Sequence, residues 1–125
     1  MMKMRVYYDD TDAGGIVYHS NYLKFCERAR SEYVFSALNS QPFNDGFCFV
    51  VRDIKAKFIK SAKLGDILDI KTKCLELKNA SALLHQEIWR ENELLFSADI
   101  NIAHLSHNKP SKMNEKTKQL LANIT

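Results

Sequence analysis

Tyr8-Asp9-Asp10-Thr11-Asp12-Ala13-Gly14-Gly15-Ile16-Val17-Tyr18-His19-Ser20-Asn21-Tyr22 is the stretch in which the periodicity of the chain changes. Before it, from about Lys3 to Tyr8, Met4, Val6 and Tyr8 alternate with Lys3, Arg5 and Tyr7, the period of a strand. After it, from about Ser20 to Leu38, Tyr22, Phe25, Cys26, Ala29 and Tyr33 recur at helical spacing. Lys24, Glu27, Arg28, Ser31 and Glu32 fill the opposite side of that helix. Ser20 or Asn21 suits its N-cap, and Arg28 and Glu32, one turn apart, suit a modest ion pair. At 1.5 Å per residue the helix would be about 28 Å long. It is the only long helix that the pattern supports.

Working outward, Pro42, Asn44, Asp45 and Gly46 mark a loop, after which the chain reads as strands. Phe47, Phe49 and Val51 alternate, as do Ile54, Ala56 and Phe58 beyond a bulge near Arg52-Asp53. Lys63 to Asp66 form a turn, Leu68 to Cys74 a strand, and Lys78 to Ser81 another turn. Leu84 to Ile88 and Leu94 to Ile102 follow, joined by a tight hairpin at Glu91-Asn92. Pro110 closes the block, and Asn114 to Asn123 suit a short amphipathic helix. Short connections require antiparallel neighbours, and a sheet with one apolar face needs a cover. The expected class is α+β: a curved antiparallel five-stranded sheet around one long central helix, in a single domain over residues 1–125.

Composition narrows the function. At 46% hydrophobic and 26% charged, 125 residues can bury a core without disulfides or a structural metal. A net charge of +3 is too mild for a nucleic-acid binder, but it suits an anionic small molecule or an acidic partner. Cys26, Cys48 and Cys74 are odd in number with no close pair, as expected of reduced thiols in the cytoplasm. No apolar run has the length of a membrane span, and the N-terminal residues lack a signal-peptide core.

The chemistry concentrates in the opening stretch. A carboxylate (Asp12), two glycines and a histidine (His19) lead directly into a helix N-terminus, whose unpaired N–H groups carry partial positive charge. Such donors suit the oxyanion formed when a thioester carbonyl is attacked, and Asp12 could attack or deprotonate a water. Gly15 would let the backbone approach a substrate closely. The same residue types also organise turns and cap helices, so spacing alone leaves that plainer role open.

The segment Tyr8 to Tyr22, with Glu27-Arg28-Ala29-Arg30 after it, resembles the signature of the 4-hydroxybenzoyl-CoA thioesterase class of hotdog-fold proteins. Within that class it is most similar to the Tol–Pal-associated acyl-CoA thioesterases, the YbgC family. The similarity continues through Phe58 to Leu68 and on to Lys109-Pro110. The resemblance implies a hotdog fold and hydrolysis of acyl-CoA to free fatty acid and coenzyme A. It implies that Asp12 is the catalytic carboxylate and that the His19 N–H polarises the thioester carbonyl, assisted by the imidazole. Ser61 stands where the family commonly has proline, which implies a looser turn there.

Coenzyme A carries phosphates, for which Lys60, Lys63, Lys78, Asn79 and Ser81 are candidates, although surface lysines often only guard a sheet edge. Val17, Tyr18, Phe25, Phe47 and Phe49 are candidates for an acyl slot, or for ordinary core. His104 and His107 lack a third ligand at zinc spacing and suit a solvated strand end; His85 suits a structural role, and Cys26 suits packing. No cofactor or metal is expected. The expected partners are acyl-CoA or an acyl-carrier-protein thioester and, because one helix leaves sheet edges exposed, a second copy of the chain as a dimer or tetramer; the resemblance implies that each site draws on both subunits. The resemblance also implies a link to phospholipid metabolism, compatible with peripheral membrane association. Two other functions fit the same fold: a hydro-lyase on hydroxyacyl thioesters, and a binding module that performs no chemistry.

Overall fold

The computed structural model describes residues 2–38 and 47–124, so the expected loop at Pro42 to Gly46 and the side chain of Phe47 lie outside the described residues. In chain order the elements are β1 (Met2–Arg5), a single 3₁₀ turn (Tyr8–Asp10), α1 (His19–Leu38), β2 (Phe47–Phe58), β3 (Ile67–Leu77), β4 (Ser81–Arg90), β5 (Glu93–Ser106), β6 (Lys109–Pro110) and α2 (Glu115–Ala122). The sheet runs β1-β3-β4-β5-β2, antiparallel throughout, with β6 paired to the end of β5. It therefore has six strands, one more than the alternation suggests. The sixth is a two-residue return made possible by His107 and Asn108, whose φ values of 51° and 66° form a tight turn. The bulge expected near Arg52 lies between Val51 and Asp53, and two more occur at Cys74/Glu76 and Ile88/Trp89. Bulges raise local twist and bend the sheet around the helix.

The helix begins one residue before the expected caps, so Ser20 and Asn21 sit in its first turn. Asn21 instead reaches back, its Nδ2 donating to the Asp10 carbonyl at 2.8 Å. Arg28 and Glu32 do not pair; exposed side chains on a solvated face gain little from doing so. Along β4, Ala82, Leu84, Gln86 and Ile88 face the helix and are buried. Gln86 is 0% exposed and carries the polar link between layers. Its Nε2 donates to the Cys26 carbonyl and to Thr72 Oγ1, both at 2.9 Å, and its Oε1 accepts from Arg30 Nη1 at 2.7 Å. Burial pushes the Cys26 thiol up to about 12, despite the Arg30 charge beside it, so it packs and does not react. The short helix α2 is capped by Asn114, whose Oδ1 accepts from the Thr117 N–H. It buries Leu120 and Leu121, and Tyr33 of α1 donates to the Leu120 carbonyl at 3.0 Å. No helix among the described residues is long and apolar enough to cross a membrane.

Two contacts fix the loop before α1. Ala62, fully buried, accepts the Val17 N–H at 2.9 Å and donates its own N–H to the Tyr22 hydroxyl at 2.9 Å. Tyr22 is in turn held by stacking on Phe96 at 5.4 Å between ring centroids. On the outer face of the sheet His85 lies between two carboxylates, Nδ1 at 2.7 Å from Asp99 Oδ1 and Nε2 at 3.0 Å from Glu87 Oε2. Ionised carboxylates only accept, so both contacts are hydrogen bonds only when the ring is an imidazolium. Burial alone would lower His85, but the bonds to Asp99 and Glu87 outweigh it and hold it above its ordinary value.

Tyr22→Phe leaves the buried Ala62 N–H without an acceptor and should cost about 1–3 kcal/mol, read from urea unfolding. His85 is raised in the folded state, so its contribution is full below the ordinary histidine pKa of about 6.5 and fades as pH rises through the higher folded value. His85→Gln should therefore lower Tm by about 3–6 °C at pH 6 and progressively less at alkaline pH. An unchanged gap between the two proteins from pH 6 to 9 would contradict the imidazolium assignment.

Candidate active site

Residues 11–18 are neither helix nor ladder, so their backbone groups must find partners one at a time. Thr11 bridges to Val17 and Ile16 to Lys63. The Asp12 N–H donates to the Ile16 carbonyl at 2.9 Å, and the Gly15 N–H to the Asp12 carbonyl at 3.1 Å, closing a tight turn. Gly15 sits at φ +80°, where a side chain would be strained. The Asp12 carboxylate is exposed, and its Oδ1 accepts the Gly14 N–H at 2.8 Å. A Cβ on Gly14 would stand 3.2 Å from that same oxygen, so the glycine keeps room for the carboxylate.

Asp10, two residues earlier, has the opposite character. It is 6% exposed, its Oδ2 accepts the Tyr7 N–H at 2.9 Å, and its carbonyl accepts the Tyr18 N–H at 3.1 Å as well as Asn21. Its backbone carbonyl ties the loop to the helix while its carboxylate is turned inward onto Tyr7, and Asp12 is left facing solvent. Local spacing does not separate the two, because burial does; only the family resemblance singles out Asp12.

His19 is the first residue of α1, so its N–H has no carbonyl one turn back inside the helix. The Asn21 N–H is already given to the Tyr18 carbonyl at 2.9 Å. The exposed His19 ring lies against Tyr18, centroids 4.3 Å apart, and edge-on to Phe58 at 6.4 Å. Asp12, Tyr18 and His19 are thus all exposed side chains of the loop and first turn that open α1.

The other candidates divide. Lys63 borders the loop, while Lys60 is spent on Glu93 at 2.6 Å. Lys78, Asn79 and Ser81 lie at the opposite end of the sheet. Ser81 stands seven residues from Ile88 on β4, about 23 Å at 3.3 Å per residue, and Ile88 is the neighbour of Phe96 and hence of Phe58. There Lys78 and Ser81 line a recess of about 110 Å³ with Arg52 and Asn101. Lys78 approaches Glu76 at 3.6 Å, and Asn79 accepts from Lys118. Val17 and Phe25 are buried in the core, Tyr18 is at the surface, and Phe49 lines a larger cavity beside α1.

His104 is not at a solvated strand end, as expected, but buried. β6 folds back over it, and its Nδ1 lies 2.8 Å from the Ser111 carbonyl while its ring packs edge-on to Phe49. Among the described residues no three His, Cys, Asp or Glu side chains converge as metal ligands would. Tyr22 and Ala62, which hold the loop, and Val51, Ile54 and Phe58 of β2 are not singled out as site residues by sequence, although Phe49 on the same face of β2 is. Their signal is strand order, which alternation does not encode.

Residues 14–97 match the model of the thioesterase superfamily. The acyl-CoA thioesterase YbgC of Helicobacter pylori is 52% identical over 88 residues, 70% of this chain and 65% of that protein's length. The acyl-CoA thioesterase YbgC of Haemophilus influenzae is 40% identical over 103 residues, 80% of this chain and 76% of that protein. A probable thioesterase from Bartonella henselae superposes with a TM-score of 0.80 at 33% identity, covering 90% of this chain and 96% of that one. With a helix held in a curved antiparallel sheet and the loop of Asp12 at the helix mouth, the chain belongs to the thioesterase superfamily and has its hotdog fold.

Proposed function

We propose that this protein hydrolyses acyl-CoA thioesters to a free acid and coenzyme A, with Asp12 and the His19 N–H as the reacting pair. The observation that carries the reading is the exposed Asp12 carboxylate, held by the Gly14 N–H in the turn that leads into α1. The thioester oxygen accepts the His19 N–H, and the developing oxyanion strengthens that bond. Asp12 then attacks the carbonyl carbon or removes a proton from an attacking water. The C–S bond breaks and the thiolate leaves with its electron pair, protonated from water or by the imidazole of His19. If Asp12 is the nucleophile and water opens the mixed anhydride at the aspartyl carbonyl, ¹⁸O-water labels Asp12; water attack at the acyl carbonyl, with or without an anhydride, labels only the product acid. The YbgC relatives, named as acyl-CoA thioesterases, support this substrate class. The reduced cysteines suit a cytoplasmic setting.

The site is composite. β2 is a sheet edge whose backbone groups and apolar residues are uncovered, the condition under which a second copy adds edge to edge. A two-fold axis through β2 reverses the strand, so the partner's Lys78–Ser81 end falls at this protomer's helix mouth. Lys63 with the partner's phosphate ligands then flanks the coenzyme. An acyl-carrier-protein thioester would use the same mouth.

Asp12→Asn should lower kcat by about 10²–10⁴ while affinity for an unreactive acyl-CoA thioether changes little. Equal hydrolysis by wild type and folded Asp12→Asn would refute the assignment, and binding without turnover by both would make the protein a binding module. Mixed dimers of Asp12→Asn and Lys78→Glu chains should regain activity that each parent lacks, because one site keeps both groups. A fully active monomer would exclude the shared site.

A further inference from the structure

Residues 10–18 fold back on themselves as a small hairpin. Thr11 bridges to Val17, the Asp12 N–H reaches the Ile16 carbonyl, and the Gly15 N–H closes the turn on the Asp12 carbonyl. Asp12 therefore rides on the first arm, and His19 follows directly on the second as the first residue of α1. Val17 fastens the hairpin to the Ala62 carbonyl, and the Tyr22 hydroxyl fastens the helix to the Ala62 N–H. Both are held on one buried unit, but neither contact by itself sets the angle between hairpin and helix.

Asn21 supplies that missing constraint. It is the third residue of α1, half-buried, and its Nδ2 donates to the Asp10 carbonyl at 2.8 Å. The same carbonyl accepts the Tyr18 N–H at 3.1 Å, so both of its lone pairs are taken, one by the second arm and one by the helix. The Asn21 N–H meanwhile goes to the Tyr18 carbonyl at 2.9 Å. Side chain and backbone of one residue thus grip both arms. Asp10 is itself anchored: its carboxylate is buried on the Tyr7 N–H, and Val6 pairs with Gly65 and Asp66. Among the described residues, no other side chain of α1 hydrogen-bonds to residues 10–18.

The residue type matters. The third position of a helix commonly takes an acid, which the positive end of the helix dipole stabilises. A carboxylate there would accept and not donate, and it would face the Asp10 carbonyl. An amide gives the donor without adding charge.

Resting on the thioesterase reading above, we propose that Asn21 is a positioning residue: its amide sets the angle between the hairpin arm that carries Asp12 and the helix start that carries the His19 N–H. Without it both groups stay fastened through Ala62 but lose their alignment on one substrate carbonyl. A misplacement of about 1 Å can cost about 10²-fold in rate, whereas the coenzyme contacts proposed at Lys63 survive.

Asn21→Ala should lower kcat about 10–100-fold, with KM and the Kd for the unreactive thioether S-hexyl-CoA within about twofold of wild type. Hydrogen–deuterium exchange at the Tyr18 and Asp12 backbone N–H groups, followed by NMR, should quicken about fivefold or more. The control is Tyr33→Phe, which removes a hydrogen bond between the same helix and Leu120 and should change neither kcat nor those exchange rates. If Asn21→Ala does not fold, Asn21→Asp takes its place at about pH 8, where the ionised carboxylate cannot donate and its charge suits the helix start. An unchanged kcat in the folded variant, a kcat loss without faster exchange, or equal losses in Tyr33→Phe would each overturn the assignment while wild-type hydrolysis stands. Faster exchange in the variant with no hydrolysis by wild type would remove the thioesterase reading and leave Asn21 as the clamp between hairpin and helix.

Discussion

A fully buried backbone unit, Ala62, holds the site together. The loop that carries Asp12 has no ladder of its own, and burying an unpaired peptide group costs about as much as a lost hydrogen bond. Ala62 resolves this by facing both ways, taking the Val17 N–H and giving its own to Tyr22. Loop, helix and sheet are thereby locked to one another within two hydrogen bonds of the proposed nucleophile. The residue before it, Ser61, replaces a proline that the family resemblance leads one to expect, and with it an expected stiffness. The turn is nevertheless pinned: Arg90 donates to the Ser61 carbonyl and to Asp66, whose Oδ2 also accepts the Lys63 N–H.

From that lock follows a division of labour between two sides of the helix. On the β3–β4 side α1 is tied down by Gln86 and packed by Phe25 and Cys26. On the β2 side it is not, and large apolar side chains face open space. One side fixes the helix; the other leaves Val51, Ile54 and Phe58 of the edge strand exposed. Asp10 and Asp12 repeat the contrast at smaller scale: each carboxylate accepts one backbone N–H, but the first is buried and the second presented to solvent.

Much of this was legible from the chain alone, and the boundary is physical. The strand at Leu94 to Ile102, the long helix and the bulge near Arg52 are local patterns, written in residues two, three or four apart. The mouth of the helix was legible too, because turn, glycines and cap are contiguous. Strand order is not local, so nothing in the alternation of β2 marks it as the edge or its inward residues as uncovered. The same gap hid the burial of His104, which depends on β6 folding back, and the extra bulges in β3 and β4, whose flanks look like regular strand. Lys78 to Ser81 read as near neighbours of the site only until the register put them at the far end of the sheet.

Gln86 has a consequence for how the sheet chooses its pairing. Alternation excludes a one-residue slip, because every side chain would change face. It does not exclude a slip by two: Leu84, Ile88 and the small or apolar residues around them would still point inward. Such a shift would move the one buried amide of β4 away from the Cys26 carbonyl, Thr72 and Arg30 together, stranding donors and acceptors in an apolar interior. A buried polar side chain thus adds to the tight Glu91-Asn92 turn in holding the native register against a slip by two.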